Sequence, residues 1–259
     1  MAARSITVLA SFLAMASAAA LPCKLPTYTL PLTGTGTELP AVDSGLKLLK
    51  IAVGHGIQNY TCADTTSATT ATGALAVLYD ITSLYPGTVK TGLTVDAFNA
   101  ISSQVLWGQN LPLNLQTTAA ASPGTATSPN AMAETDYGAV IADPFPTPSP
   151  LSLPGINAAF LGHHYFDAAG VPTFDLPGAG LFGSVSKTGD VKAPSTAQTG
   201  ILGTGAVDWL QLSATSNGLS KGIKQVYRVI TVGGASQTCA VLNAAGGSVP
   251  YTAFYWFFG

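Results

Sequence analysis

Along this chain the apolar positions fall into short runs punctuated by glycine and proline, a spacing that suits strands and turns better than long helices. Leu46 to Val53 (LKLLKIAV) is strongly apolar, stops at Gly54, and leads into GHGIQNYTC, residues 54–62, which reads as a strand. GALAVLYDI, residues 73–81, fits a short helix or a buried strand equally, because a run of this length carries too little periodicity to separate them. TVDAFNAISSQVLWG, residues 94–108, is the best helix candidate. Thr94 can cap it, Val95, Phe98, Ile101 and Val105 recur at helical spacing, and Gly108 stops it.

From Phe160 onward the pattern is strand, turn, strand: FLGHHYFDA, VPTFDL, AVDWLQLSA, IKQVYRVITVGG and VPYTAFYWFF. In the last of these, Tyr251, Ala253, Tyr255 and Phe257 share one face, while Thr252, Phe254, Trp256 and Phe258 share the other. Large side chains on both faces mark a strand buried on two sides or a barrel wall. Before the first run, CKLPTYTLPLTGTGTELPAV reads as an extended, proline-broken arm. Residues 112–154 shift to Pro, Ser, Thr and Ala and read as a long exposed insertion, with the hydroxyl-rich makeup of an O-glycosylation target. The expected fold is a single mostly β domain, a sandwich or barrel with one or two short helices.

The first twenty residues, MAARSITVLASFLAMASAAA, show an early charge at Arg4, an apolar run and then small residues, the layout of a cleaved secretory leader. The apolar run is shorter than the ~20 residues that span a bilayer. The expectation is therefore a secreted, extracellular domain from residue 21 to residue 259. Asn59-Tyr60-Thr61 is a glycosylation acceptor triplet, meaningful on that route. An oxidising compartment also favours pairing two of the cysteines, Cys23, Cys62 and Cys239. Cys62 with Cys239 is the first choice because it ties an early segment to a late one; Cys23 with Cys62 is the alternative.

Charged residues make up 8% of the chain, far below the ~25% usual for soluble domains. Without Arg4, nine basic side chains face twelve acidic ones, for a net charge near minus three, and Arg228 is the only arginine left. So few cations cannot neutralise a row of phosphates, which excludes nucleic acid as a partner and argues against nucleotides and anionic lipid heads.

Motif matches fail in context. Gly178, Gly180 and Gly183 match G-x-G-x-x-G, yet Pro177 precedes them and Gly189 and Pro194 leave no room for the helix that would hold a pyrophosphate. Gly218-Leu219-Ser220-Lys221-Gly222 matches a nucleophile elbow, but a strand pattern follows and no histidine comes after His164. HHYFD, residues 163–167, is the remaining cluster. On a strand, His163, Tyr165 and Asp167 point to one face and His164 and Phe166 to the other, so adjacent histidines cannot share one metal. A site there, with Tyr165 on the same face as a further candidate, would need His163 with Asp167, plus a distant partner such as His55, Asp64 or Glu134. A hydrogen-bonded strand histidine is the competing reading. No metal site and no cofactor are expected.

GIQNYTC (56–62), GHHYFDAAGVPTFDL (162–176), VDWLQL (207–212), VYRVITVGG (226–234) followed by Cys239, and VPYTAFYWF (249–257) together resemble the secreted proteins grouped as domain-of-unknown-function family 3455, especially its fungal members. The resemblance runs from about Val53 to the end. It implies secretion and an uncharacterised biochemical role, with no catalytic residues to carry over. Many fungal members bear the label malate dehydrogenase, which this chain contradicts by lacking a dinucleotide-binding βαβ unit. Where fungal relatives show a cysteine in a segment like LYDITSLY, this chain has Thr82 and Ser83, a departure in keeping with an unpaired Cys23.

The leading functional expectation is a non-enzymatic extracellular or cell-wall-associated protein that binds polysaccharide through exposed aromatic rings. The alternative is an extracellular hydrolase or metal-dependent enzyme centred on His163 and Asp167, which requires those side chains to share a concave pocket with another histidine or carboxylate.

Overall fold

The structure is a computed structural model that describes residues 26–117 and 122–259. Residues 1–20, where a leader is expected, and Cys23 lie outside the described residues.

Among the described residues there are twelve strands, one α-helix and three short 3-10 turns. The strands and the helix are β1 (Leu48–Thr61), β2 (Thr70–Asp80), α1 (Val95–Gly108), β3 (Gly124–Thr125), β4 (Ser128–Pro129), β5 (Leu151–Leu153), β6 (Ile156–Ala158), β7 (Phe160–Phe166), β8 (Pro172–Leu176), β9 (Leu181–Val191), β10 (Trp209–Ala214), β11 (Gln225–Gly233) and β12 (Gly247–Phe258). Eight of them close a barrel in the order β1-β12-β11-β10-β9-β8-β7-β2. Every neighbouring pair is antiparallel, so the chain simply runs up and down around the wall, with one large insertion between β2 and β7. Closure leaves the main sheet no edge strand. The segment at 73–81 resolves as strand: its residues pair with β1 on one side and β7 on the other, and those long-range bonds override the local ambiguity.

β12 shows why both of its faces are apolar. Tyr251, Ala253, Tyr255 and Phe257 belong to a core that also takes Ala52, Ala76, Leu78, Phe174, Leu176, Leu212 and Val226 from around the wall; this is the barrel interior. Phe254, Trp256 and Phe258 point outward and are covered by α1, by β5 and β6, and by the extended arm with Tyr28, Leu30 and Leu39. Burying each such large side chain contributes roughly 1.5–3 kcal/mol over leaving it exposed. The outer layer therefore stabilises the barrel seam from outside, with Phe98 of α1 edge-on to Phe254 at 5.1 Å. Thr94 caps the helix as its sequence predicts, its side chain accepting from the Ala97 N–H at 3.2 Å. The buried stripe is Phe98, Ile101, Ser102, Val105 and Leu106; Val95, expected in it, sits in the first turn and is exposed.

Two other expectations change. β9 was not foreseen, because its second half carries Ser186, Lys187, Thr188 and Asp190 and so reads as loop. The 112–154 insertion is exposed over much of its length but is also anchored: Leu113, Tyr137 and Ala139 pack against Ile57, and Leu151 and Leu153 enter the outer core.

The two ends of the barrel differ. At one end Leu176, Leu181, Ile223 and Phe257 fill the interior beneath short turns. There Gly180 adopts the left-handed conformation (φ 65°) between β8 and β9, which is the role of the G-x-G-x-x-G match. The opposite end is open.

Candidate functional site

The open end is rimmed by the loops that join β1 to β2, β7 to β8, β9 to β10 and β11 to β12. It leads into a cavity of about 740 Å³. That volume lies within the ~300–1,000 Å³ typical of small-molecule sites, and an eight-stranded barrel is just wide enough to hold one small ligand. Ala71, Ala74, Phe166, Leu210 and Leu212 give the cavity apolar walls, while its inner surface carries Gln58, His164, Arg228 and Tyr255.

These four inner groups come from four strands whose register places them together. Arg228 of β11 is paired with Tyr255 of β12, and His164 of β7 lies between Ala76 of β2 and Phe174 of β8. Arg228 is 8% exposed. Its Nε and Nη2 donate to the Asp208 carbonyl at 3.2 and 2.9 Å, and its Nη1 donates to Gln58 Oε1 at 3.2 Å. Gln58 is itself oriented by donating from Nε2 to the Gly73 carbonyl. A guanidinium carries five N–H donors, so two are left over from these bonds, with the Tyr255 hydroxyl beside them as a further protein acceptor. Among the described residues no carboxylate reaches Arg228 within ion-pair distance.

His164 is 4% exposed and stacks on Phe174 with ring centroids 4.2 Å apart. Its Nδ1 lies 2.9 Å from the Thr173 carbonyl, and a carbonyl only accepts, so Nδ1 bears the proton and Nε2 is left as an acceptor. Burial, aided by the nearby Arg228 charge, pushes its pKa down to about 4, so the ring is neutral at ordinary pH. The Tyr251 and Tyr255 hydroxyls bond each other at 2.7 Å within the interior, and burial raises both phenol pKa values. Arg228 partly offsets the rise at Tyr255. Gly54 makes room for this ring: a Cβ there would lie 2.6 Å from Tyr255 Cε2.

At the rim, Lys192 pairs with Asp208 at 2.9 Å and Lys187 with Asp190 at 3.2 Å. The Tyr60 hydroxyl donates to the Gly234 carbonyl at 2.7 Å, and burial pushes its pKa up to about 12. Two devices fix the β11–β12 loop over the opening. One is the disulfide between Cys62 and Cys239, the expected first-choice pairing. The other is Glu134, 2% exposed, whose carboxylate accepts from the Ser236 hydroxyl and from the Gln237 N–H at 2.9 Å.

The residues singled out from the sequence lie elsewhere. His163, Tyr165 and Asp167 leave the wall on its outer side, and the structure does not gather them into one pocket. His163 is stacked on Phe145 at 4.0 Å, opposite Asp175, and burial lowers its pKa against the pull of the Asp175 charge. Tyr165 lines a groove of about 510 Å³ that neither His163 nor Asp167 reaches. Asp167 closes the β7–β8 turn, its Oδ1 accepting from Ala169 and Val171 N–H groups at 2.9 Å each. His55 is buried under the insertion on the outer side of β1, with its pKa lowered to about 3 by burial. Asp64 holds an exposed turn through Thr66 and Ser67, which lower its pKa to about 2. Ser220 is a turn residue bonded to Ser184. Asn59 is half-buried on β1 and accepts from the Ser248 hydroxyl at 2.8 Å.

Sequence reasoning thus passed over His164, Arg228, Gln58 and Tyr255. The signal was present in part: the period-two alternation that sends His163 one way sends His164 the other, and a lone arginine inside an apolar strand is an expensive placement.

Comparison with curated proteins and with solved structures returns no match. A family model described as "Protein of unknown function (DUF3455)" matches residues 43–259, a span that includes every barrel strand and the whole cavity. The chain belongs to that family of proteins of unknown function, DUF3455.

Proposed function

We propose that this protein works outside the cell as a non-enzymatic barrel that binds one small organic molecule in its open end. The observation that carries the reading is Arg228: a buried cation with spare donors, facing a cavity of ligand size, with no carboxylate partner among the described residues. Burying an unpaired charge costs stability, and a bound ligand that meets it offsets that cost. The Cys62–Cys239 disulfide and the leader sequence support an extracellular setting.

A bound small molecule is better supported than a polysaccharide laid across surface rings, because every aromatic side chain of the described residues is buried or half-buried. An enzyme centred on His163 and Asp167 draws less support, since those two groups serve a stack and a turn. Saturable binding of the neutral fluorophore N-phenyl-1-naphthylamine tests the reading. The wild type should bind it at a single site, and Leu210→Trp, which fills the mouth, should abolish the signal. Equal binding by both proteins would place the fluorophore elsewhere and defeat the proposal.

A further inference from the structure

We infer that the ligand of this cavity is a carboxylic acid whose single carboxylate docks on Arg228; the inference rests on the small-molecule reading above and adds the chemistry of the head group. The charges that line the cavity are Lys187, Lys192 and Arg228 against Asp190 and Asp208, three cations to two carboxylates. Both lysines are already paired at the rim, Lys192 with Asp208 and Lys187 with Asp190. Glu134, a further carboxylate near the rim, is engaged by Ser236 and the Gln237 N–H. One positive charge is therefore left over, on a guanidinium that is buried to 8% exposure, and it matches one negative charge.

A phosphate dianion would bring about two charges to a site that offers one, and would stay half-neutralised in a poorly hydrated interior. A carboxylate brings one charge in a planar group that suits the guanidinium fork. The donors are also pre-oriented. Gln58 and the Asp208 carbonyl hold three of the N–H groups, which fixes the guanidinium plane and turns the remainder toward the Tyr255 hydroxyl and the ligand. Beside them His164 offers only an acceptor nitrogen, which would repel a carboxylate oxygen and suit a hydroxyl or N–H on the ligand body. The apolar walls, Phe166, Leu210 and Leu212 among them, take the remainder of the molecule.

The test displaces N-phenyl-1-naphthylamine with two competitors of one shape, 1-naphthoate and 1-naphthamide, at pH 7. Wild type should show naphthoate competing at least about tenfold better than the amide. Arg228→Gln should abolish that difference while still binding the fluorophore, and Arg228→Lys should restore part of it. Because the acid and amide are compared in the wild type, the answer stands even where the Arg228→Gln chain fails to fold. Equal competition by acid and amide would overturn the carboxylate assignment and leave the binding cavity standing. Failure of the fluorophore to bind the wild type, or binding unaffected by Leu210→Trp, would overturn both.

Discussion

The Cys62–Cys239 disulfide joins the end of β1 to the β11–β12 loop, at the seam where the last strand meets the first, and it closes a loop with a sequence separation of 177 residues. Its removal, by the double substitution Cys62→Ala with Cys239→Ala, leaves no freed thiol that could be oxidised to a new disulfide with Cys23. For a loop of this length the chain-entropy relation gives about 5 kcal/mol of stabilisation at 25 °C, through restriction of the unfolded chain. That figure is a ceiling, since losses measured for native disulfides run from about 2 to 5 kcal/mol. At roughly 2–4 °C per kcal/mol for a domain of this size, the melting midpoint should fall by about 5–20 °C. Calorimetry with and without reductant measures it. Hydrogen exchange should quicken at the slowest core amides in step with that loss, with additional local loosening confined to residues 62–69 and 235–246, because the β1–β12 ladder from Leu48 to Tyr60 holds the seam independently of the bond. A midpoint within about 2 °C of the wild type would contradict this, and so would slowest core amides that exchange no faster than in the wild type.

Acid should destabilise the fold through its two buried neutral histidines. Folding lowers the pKa of His164 to about 4 and of His55 to about 3, so the unfolded chain binds more protons below its ordinary imidazole value. Stability is then full above about pH 6.5 and declines as pH falls from there through 4, by on the order of 3–5 kcal/mol per histidine at the limit. Urea titrations at pH 7 and pH 4.5 test this, and His164→Gln should flatten the slope; a stability unchanged between those values would contradict it. Gly54→Ala should destabilise by about 1–3 kcal/mol, because its Cβ would meet Tyr255 Cε2 at 2.6 Å inside a packed interior. Chemical denaturation measures it, and a neutral result would mean that the Tyr255 ring moves aside freely.

Much of the fold is legible in the residues and much of the site is not, for one physical reason. Strand content, the capped helix at 94–108 and the doubly apolar β12 follow from periodicity and local chemistry, which act over a few residues. The site is assembled from Gln58, His164, Arg228 and Tyr255, which are separated by as many as 197 positions along the chain and meet only because the barrel closes. His163 and His164 show the limit well. Alternation correctly separates their faces, but which face looks inward depends on the register of β7 against β2 and β8, and short-range pattern carries no information about that. β9 was hidden for a related reason: beyond its fully buried Val185 it runs into the solvated barrel mouth, where Lys187 and Asp190 pair and read as loop.

The three histidines of the chain, His55, His163 and His164, provide the most direct test of the central claim, because each lies in a different place: under the insertion, on the outer wall, and inside the cavity. Their imidazole resonances can be followed by NMR while 1-naphthoate is titrated in. The His164 signals should shift with saturation, and those of His55 and His163 should stay in place. A shift confined to His163, or none at His164 when binding is saturated, would contradict the assignment of the barrel mouth as the ligand site.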